Sequence, residues 1–237
     1  MAIEELKSLL EELLETAMRK RLSYMDFLRL LATYSRPSEL DFADFYDILA
    51  KIRRLSDEVA RAPDSLPLMR RRVEDLVRKD YKPFLVDCLG LPEVYEVYAK
   101  ITKECGILAV PVEPYINASA LTSEFEETYG SPTMLELARA LGTSLYRSTD
   151  KAVHEELGKP MGLDSLLSLA RLRLKSVAEK LAEDAVRTGK ALIISDHGYD
   201  VYHSPPDKYY LGHGRGGRLA KIAPLIIVEC GSAHASL

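Results

Sequence analysis

The run Ala191-Leu192-Ile193-Ile194-Ser195 is apolar without alternation and passes directly into Asp196-His197-Gly198. A strand with no polar side has to be covered on both faces, as happens in a sheet sandwiched between helices. Other runs fit the same role. Residues 83–86 are apolar and end in Asp87, residues 106–112 and 223–228 are apolar, and residues 144–148 offer a shorter candidate. Helical patterns separate these runs. Leu6, Leu9, Leu10, Leu13 and Leu14 recur at three- and four-residue spacing, which places them on one helix face. Residues 42–62 repeat the pattern through Phe45, Ile48, Leu49, Ile52 and Leu55, with Ser38 and Asp41 as candidate N-caps. Pro63 and Pro67 punctuate before a third helix that runs to Arg78. Residues 93–104, 133–141 (with Gly142 as C-cap) and 163–188 (ending at Gly189) also read as helices. The expectation is an α/β fold: a mostly parallel sheet flanked by helices over residues 81–237, preceded by a helical region over 1–80.

Composition excludes several classes. Hydrophobic residues make up 47% of the 237-residue chain and charged residues 29%, which is too apolar for a disordered chain. Lys plus Arg is 32 against 36 Asp plus Glu, a net charge of −4, so the footprint of a dedicated duplex nucleic-acid binder is absent. The arginines at 70–72 read as a solvated helix face. Cys88, Cys105 and Cys230 are odd in number and lack CxxC spacing. They read as reduced, mostly buried thiols of a cytoplasmic protein. The charged, amphipathic start lacks the features of a signal peptide, and no apolar run approaches the roughly 18 residues of a membrane span.

Chemistry concentrates at the predicted strand ends, where open sheets bind ligands. Asp87 and Asp196 end two strands, and His197 follows Asp196 at once. Gly212-His213-Gly214 puts a third histidine between glycines. In Asp150-Lys151-Ala152-Val153-His154 an acid and an imidazole are four residues apart, on one face if helical. Asp87, Asp150, His154, Asp196, His197 and His213 are thus six N/O ligands, and they include three of the chain's five histidines. Carboxylates with neutral imidazoles suit Zn2+ first and Mn2+ second. Six ligands suffice for two ions, the arrangement used in phosphoryl transfer. Thr122 and Ser123 are hydroxyls in the intervening stretch; they also read as caps of a short helix.

In chain order these motifs resemble the alkaline phosphatase superfamily, and within it the PglZ-domain branch. The resemblance rests on Phe84-Leu85-Val86-Asp87, Thr122-Ser123, Asp150-x-x-x-His154, Ser195-Asp196-His197-Gly198 and Gly212-His213-Gly214, with Pro224 opening the last strand. It covers residues 81–237 and implies an alkaline-phosphatase-like core with two divalent ions. Asp150, His154 and His213 would hold one ion, and Asp87, Asp196 and His197 the other. Thr122 would be the nucleophile, with Ser123 the alternative and Ser119 and Thr133 in the same window. Arg215 and Arg218, close after His213, would grip phosphate oxygens, as arginine forks do. Lys208, Tyr209 and Tyr210 are candidates for nucleoside contact, and His203 for an outer partner of a ligand. The chain departs from the family in its short 122–150 and 197–213 connections, which leave no cap over the site. The implied function is a two-metal phosphohydrolase, a phosphodiesterase acting on nucleotides or oligonucleotides. The alternative is a catalytically reduced metal-binding or sensing protein, for example a phage-defence component, that docks a protein partner through residues 1–80.

Overall fold

The computed structural model describes residues 2–34, 45–214 and 216–231. The candidate caps Ser38 and Asp41, and the expected phosphate contact Arg215, lie outside these residues. The amphipathic patterns of the first third become α1 (Ala2–Arg19), α2 (Tyr24–Thr33), α3 (Tyr46–Arg61) and α4 (Leu66–Val77). The leucine pattern did not single out α2. It begins at a capping box, in which the Asp26 N–H donates to Ser23 Oγ at 3.1 Å and the Ser23 N–H donates to the Asp26 carboxylate at 3.3 Å.

The α/β part follows as β1 (Lys82–Val86), α5 (Leu91–Cys105), β2 (Val112–Ile116), α6 (Thr122–Tyr129), α7 (Met134–Ala140), β3 (Leu145–Tyr146) and α8 (Ser148–Ala152). A π-helical turn, Val153–Leu157, extends α8. The expected long helix is α9 (Leu163–Ala170), a π-helical turn at Arg171–Lys175 and α10 (Ser176–Thr188) in succession. Then come β4 (Lys190–Ser195), a hairpin of β5 (Asp200–Ser204) and β6 (Lys208–Gly212), and β7 (Ile222–Glu229). The strand expected at 106–112 is displaced. Gly106 caps α5 at φ 64°, Leu108 is fully exposed, and pairing begins only at Val112.

The five-stranded sheet has the order β2-β7-β4-β1-β3 and is mixed, which corrects the expectation of a mostly parallel sheet. β1 runs parallel to β3 and β4, while β7 runs antiparallel to both β4 and β2. Unbroken apolar sequence reports coverage on two faces, not strand direction. Direction is set by the connection, and between β4 and β7 there is no crossover helix. The β5–β6 hairpin keeps the chain at the sheet edge where β4 ended, so β7 must run back.

Alternation within the strands divides the core. Phe84, Val86, Ile193, Ile226 and Val228 pack with α1, α3, α5 and α10 on one face. Leu85, Leu192, Ile194, Leu225 and Ile227 pack with α4 and α7 on the other. The N-terminal helices therefore share the core of the sheet. A third cluster joins α2, α9, the π-helical turn after α8 and the hairpin through Leu28, Leu166, Leu157 and Leu211. Cys105, at the end of α5, and Cys230, just after β7, form a disulfide with Cα atoms 5.1 Å apart, and Cys88 is free and buried. This corrects the expectation of three reduced thiols: the two cysteines are 125 residues apart in sequence and meet only through the tertiary fold. Among the described residues no helix is long and apolar enough to cross a membrane.

Candidate metal centre

β1, β3 and β4 run in one direction, and β2 shares it because both β2 and β4 oppose β7. Their C-terminal ends therefore lie along one edge of the sheet, and the candidate residues collect there. Asp87 follows β1 and Asp196-His197 follow β4. Thr122 opens α6 after β2, Asp150 and His154 lie on the helix after β3, and His213 lies on the segment leading to β7.

The six acids and histidines form two groups. In each, the three ligand atoms lie within 4.8 Å of one another: Asp150, His154 and His213 in one, and Asp87, Asp196 and His197 in the other. Within the first, Asp150 Oδ1 is 3.2 Å from His154 Nε2 and 3.3 Å from His213 Nε2, and the two Nε2 atoms are 2.8 Å apart. Within the second, Asp196 Oδ2 is 3.2 Å from His197 Nε2. Tetrahedral zinc with ligands at about 2.0 Å separates its ligand atoms by about 3.3 Å, so the three carboxylate–imidazole spacings fit such an ion, while the two imidazoles at 2.8 Å would have to part slightly to hold it.

The tautomers fit as well. His197 Nδ1 is 2.9 Å from the Gly198 carbonyl and His213 Nδ1 is 3.1 Å from the Ala120 carbonyl. A carbonyl only accepts, so each Nδ1 carries a proton, and in the neutral imidazole Nε2 is the atom that would hold an ion. Asp87 is the candidate ligand whose surroundings best suit a cation. It is 8% exposed, and its Oδ1 is buried with no hydrogen-bond partner. Burial, and then the charges of Asp196 and Asp150, push its carboxyl up to about 8, against the opposing pull of Arg147 and His213. Burial also raises Asp150, but the hydrogen bond with His213 and the charges of His154, His213 and His197 carry it below the usual carboxylate value. Burial lowers His213, yet Asp150 and the Ala120 carbonyl leave it raised overall.

Among the candidate nucleophiles, Thr122 faces the metal ligands. Its hydroxyl donates to Asp196 Oδ2 at 2.7 Å and lies 3.3 Å from His197 Nε2. It does not cap α6, whose N-cap is Leu121 with no side-chain cap bond. Ser123 is exposed at the next position. Ser119 Oγ is engaged by Asn117 and the Leu121 N–H, and Thr133 caps α7 by accepting from the Glu136 N–H. Arg218 is turned away from the metal groups and pairs with Asp57 of α3 at 2.7 Å. Lys208, Tyr209 and Tyr210 belong to β6, where Tyr209 is buried and pairs with Met161, and His203 lies edge-on to its ring.

Hydrogen bonds hold the ligand loops in register. Asp196 Oδ1 accepts the Cys88 N–H at 3.0 Å, which is aimed there by a left-handed Cys88 (φ 65°). Ser195 Oγ accepts the Leu89 N–H at 3.0 Å and donates to the His197 carbonyl at 2.9 Å. Asn117 Nδ2 donates to the carbonyls of Asp196 and Leu121, tying the metal loop to the start of α6. Gly198 is favoured by close approach, since a Cβ would lie 3.2 Å from the Leu89 carbonyl oxygen, and Gly214 by its φ of 105°. The sequence reading missed Asn117. Its only local signal was a polar residue immediately after an apolar strand, a common arrangement.

No protein-family model matches the chain, and no curated protein matches it.

Proposed function

We propose that the protein is a two-metal phosphohydrolase, built like a reduced, uncapped member of the alkaline phosphatase superfamily with PglZ-type motifs, and that it cleaves phosphodiesters of nucleotides or oligonucleotides. The observation that carries this reading is the placement of the Thr122 hydroxyl, hydrogen-bonded to Asp196 in one candidate ligand group whose His197 ring stacks on His213 of the second at 4.1 Å. Asp87, Asp196 and His197 would hold one divalent ion, Zn2+ in preference to Mn2+, and Asp150, His154 and His213 the other. Bound there, such ions supply Lewis-acid stabilisation of the charge that develops on phosphoryl oxygens.

The residues of the chain do the rest. Thr122 Oγ attacks phosphorus, its proton leaves along the hydrogen bond to the Asp196 carboxylate, and the bond from phosphorus to the leaving oxygen breaks. The leaving alcohol takes up that proton, and water then attacks the phosphorus of the threonyl ester, giving one proton back to Thr122 Oγ and releasing a phosphomonoester. Thr122 is the first residue of α6, so the unpaired N–H groups of that helix start lie beside the reacting phosphoryl group. The alternative reading, a metal-dependent sensing or interaction protein, draws on the missing cap over the site.

Hydrolysis of bis-p-nitrophenyl phosphate with added zinc or manganese separates the two. The expected result is metal-dependent turnover by the wild type that is lost in Asp196→Ala. No turnover with either metal rejects the enzymatic reading.

A further inference from the structure

Glu93, in the first turn of α5, is completely buried and faces no cation. Its carboxylate is satisfied by three donors from three parts of the chain. Oε1 accepts from Tyr24 Oη of α2 at 2.5 Å and from Tyr199 Oη at 2.8 Å, and Oε2 accepts the Gly90 N–H at 3.1 Å. Gly90 lies three residues after Asp87, and Tyr199 two residues after His197. These two loops supply the whole Asp87–Asp196–His197 group. Between that group and Glu93 they are zipped together. The Cys88 N–H bonds the Asp196 carboxylate, the Leu89 N–H bonds the His197 carbonyl at 2.9 Å, and Cys88 Sγ lies 3.5 Å from the Gly198 carbonyl. At Gly90 the loop presses against the Tyr199 ring so closely that a Cβ would come within 2.3 Å of it.

Burying a carboxylate without a counter-charge is costly, and hydrophobic packing alone would not require one at this place. What this carboxylate provides is three acceptor directions at the point where the two ligand loops and α2 meet. We propose that Glu93 is a positioning residue for the Asp87–Asp196–His197 group, and that Tyr24 makes α2 part of the same device. The inference rests on the metal-centre reading above. It gives α2 a second role besides packing, because Tyr24 holds one ligand set from behind. Among the described residues no hydrogen bond joins Glu93 to the other ligand set, Asp150–His154–His213, which meets the first set through the stacked rings of His197 and His213 at 4.1 Å and serves as the comparison site.

The test is zinc binding to the full chain, measured by competition with a chromophoric chelator and resolved into two dissociation constants. In Glu93→Gln the amide oxygen still accepts from both tyrosines, but the amide nitrogen opposes the Gly90 N–H, so the loop clamp is released. One zinc constant is expected to weaken about 10- to 100-fold, the scale seen when outer supports of a ligand are removed, while the other stays unchanged. Tyr24→Phe should weaken the same constant to a smaller degree. Leu28→Ala, also buried on α2 but not bonded to Glu93, is expected to lower stability and leave both constants alone.

Unchanged zinc constants in Glu93→Gln overturn the proposal and leave the metal centre standing. So does equal weakening of both sites, or the same loss in Leu28→Ala, because each marks general destabilisation. A wild type that binds no zinc removes the metal-centre reading and the proposal with it.

Discussion

Thr122→Ala is expected to lower turnover of a phosphodiester at least about a thousandfold while leaving the zinc content of the protein intact. The size follows from the loss of the attacking group itself, whose removal cannot be compensated by binding or charge stabilisation alone. Zinc should remain because neither ligand group uses the threonine hydroxyl. Thr122→Ser keeps an oxygen at the same position and should retain most of the activity. Ser123→Ala removes an exposed hydroxyl and should behave like wild type. If Thr122→Ala turns over normally, the nucleophile is misassigned even if the metals are present. Asp196→Ala should differ in kind, losing a metal ligand together with the acceptor of the Thr122 proton.

Zinc is expected to raise the melting temperature by about 5–10 °C at pH 8 at saturating concentration, and by clearly less at pH 6. A ligand at a hundred times its dissociation constant contributes about 2.7 kcal/mol, and a chain of this length gains about 2–4 °C for each kcal/mol. The pH dependence follows from the buried carboxyls. Asp87 is raised to about 8, Glu93 to about 7 and Asp200 to about 6, in each case first by burial. Each folded carboxyl therefore holds its proton more tightly than the unfolded chain does. Between about pH 4, the unfolded carboxyl range, and pH 8 the folded state binds the extra protons. These three groups accordingly contribute most stability to the metal-free protein at the acid end of that window, and the contribution is lost as pH rises through it. Zinc needs Asp87 ionised and His213 neutral, so uptake releases protons and its stabilising effect grows with pH. Thermal melts with and without zinc at the two pH values measure this directly. A zinc shift that is larger at pH 6 than at pH 8 contradicts the assignment of Asp87 as a ligand.

The legible parts of the fold were those governed by local pattern. The strands at 82–86, 190–195 and 222–229 were announced by apolar runs, and α1, α3 and α10 by their helical spacing. The six ligand candidates were legible for a related reason. They are uncommon residue types at strand ends or at helical spacing, and strand ends along one edge converge whatever the strand order. What stayed hidden depends on contacts between distant segments. The direction of β7 follows from a hairpin whose turn, Ser204-Pro205-Pro206-Asp207, was legible in the sequence, but whose pairing of β5 with β6 was not. The Cys105–Cys230 bond joins the ends of two elements that only the fold brings together. Arg218 looked suitable for a phosphate because it follows His213, but it finds Asp57 on α3 instead. Glu93 looked like an ordinary acid in the first turn of a helix. Only its burial against Tyr24 and Tyr199 distinguishes it.

The central claim is that the strand-end cluster is a two-ion centre. It is tested most directly by counting metal in the full-length protein, purified without added metal and then dialysed against zinc, beside Asp196→Ala and His213→Ala. Two zinc ions per chain in the wild type and one in each variant is the predicted result. A wild type with no bound zinc, or variants that keep both ions, would contradict it.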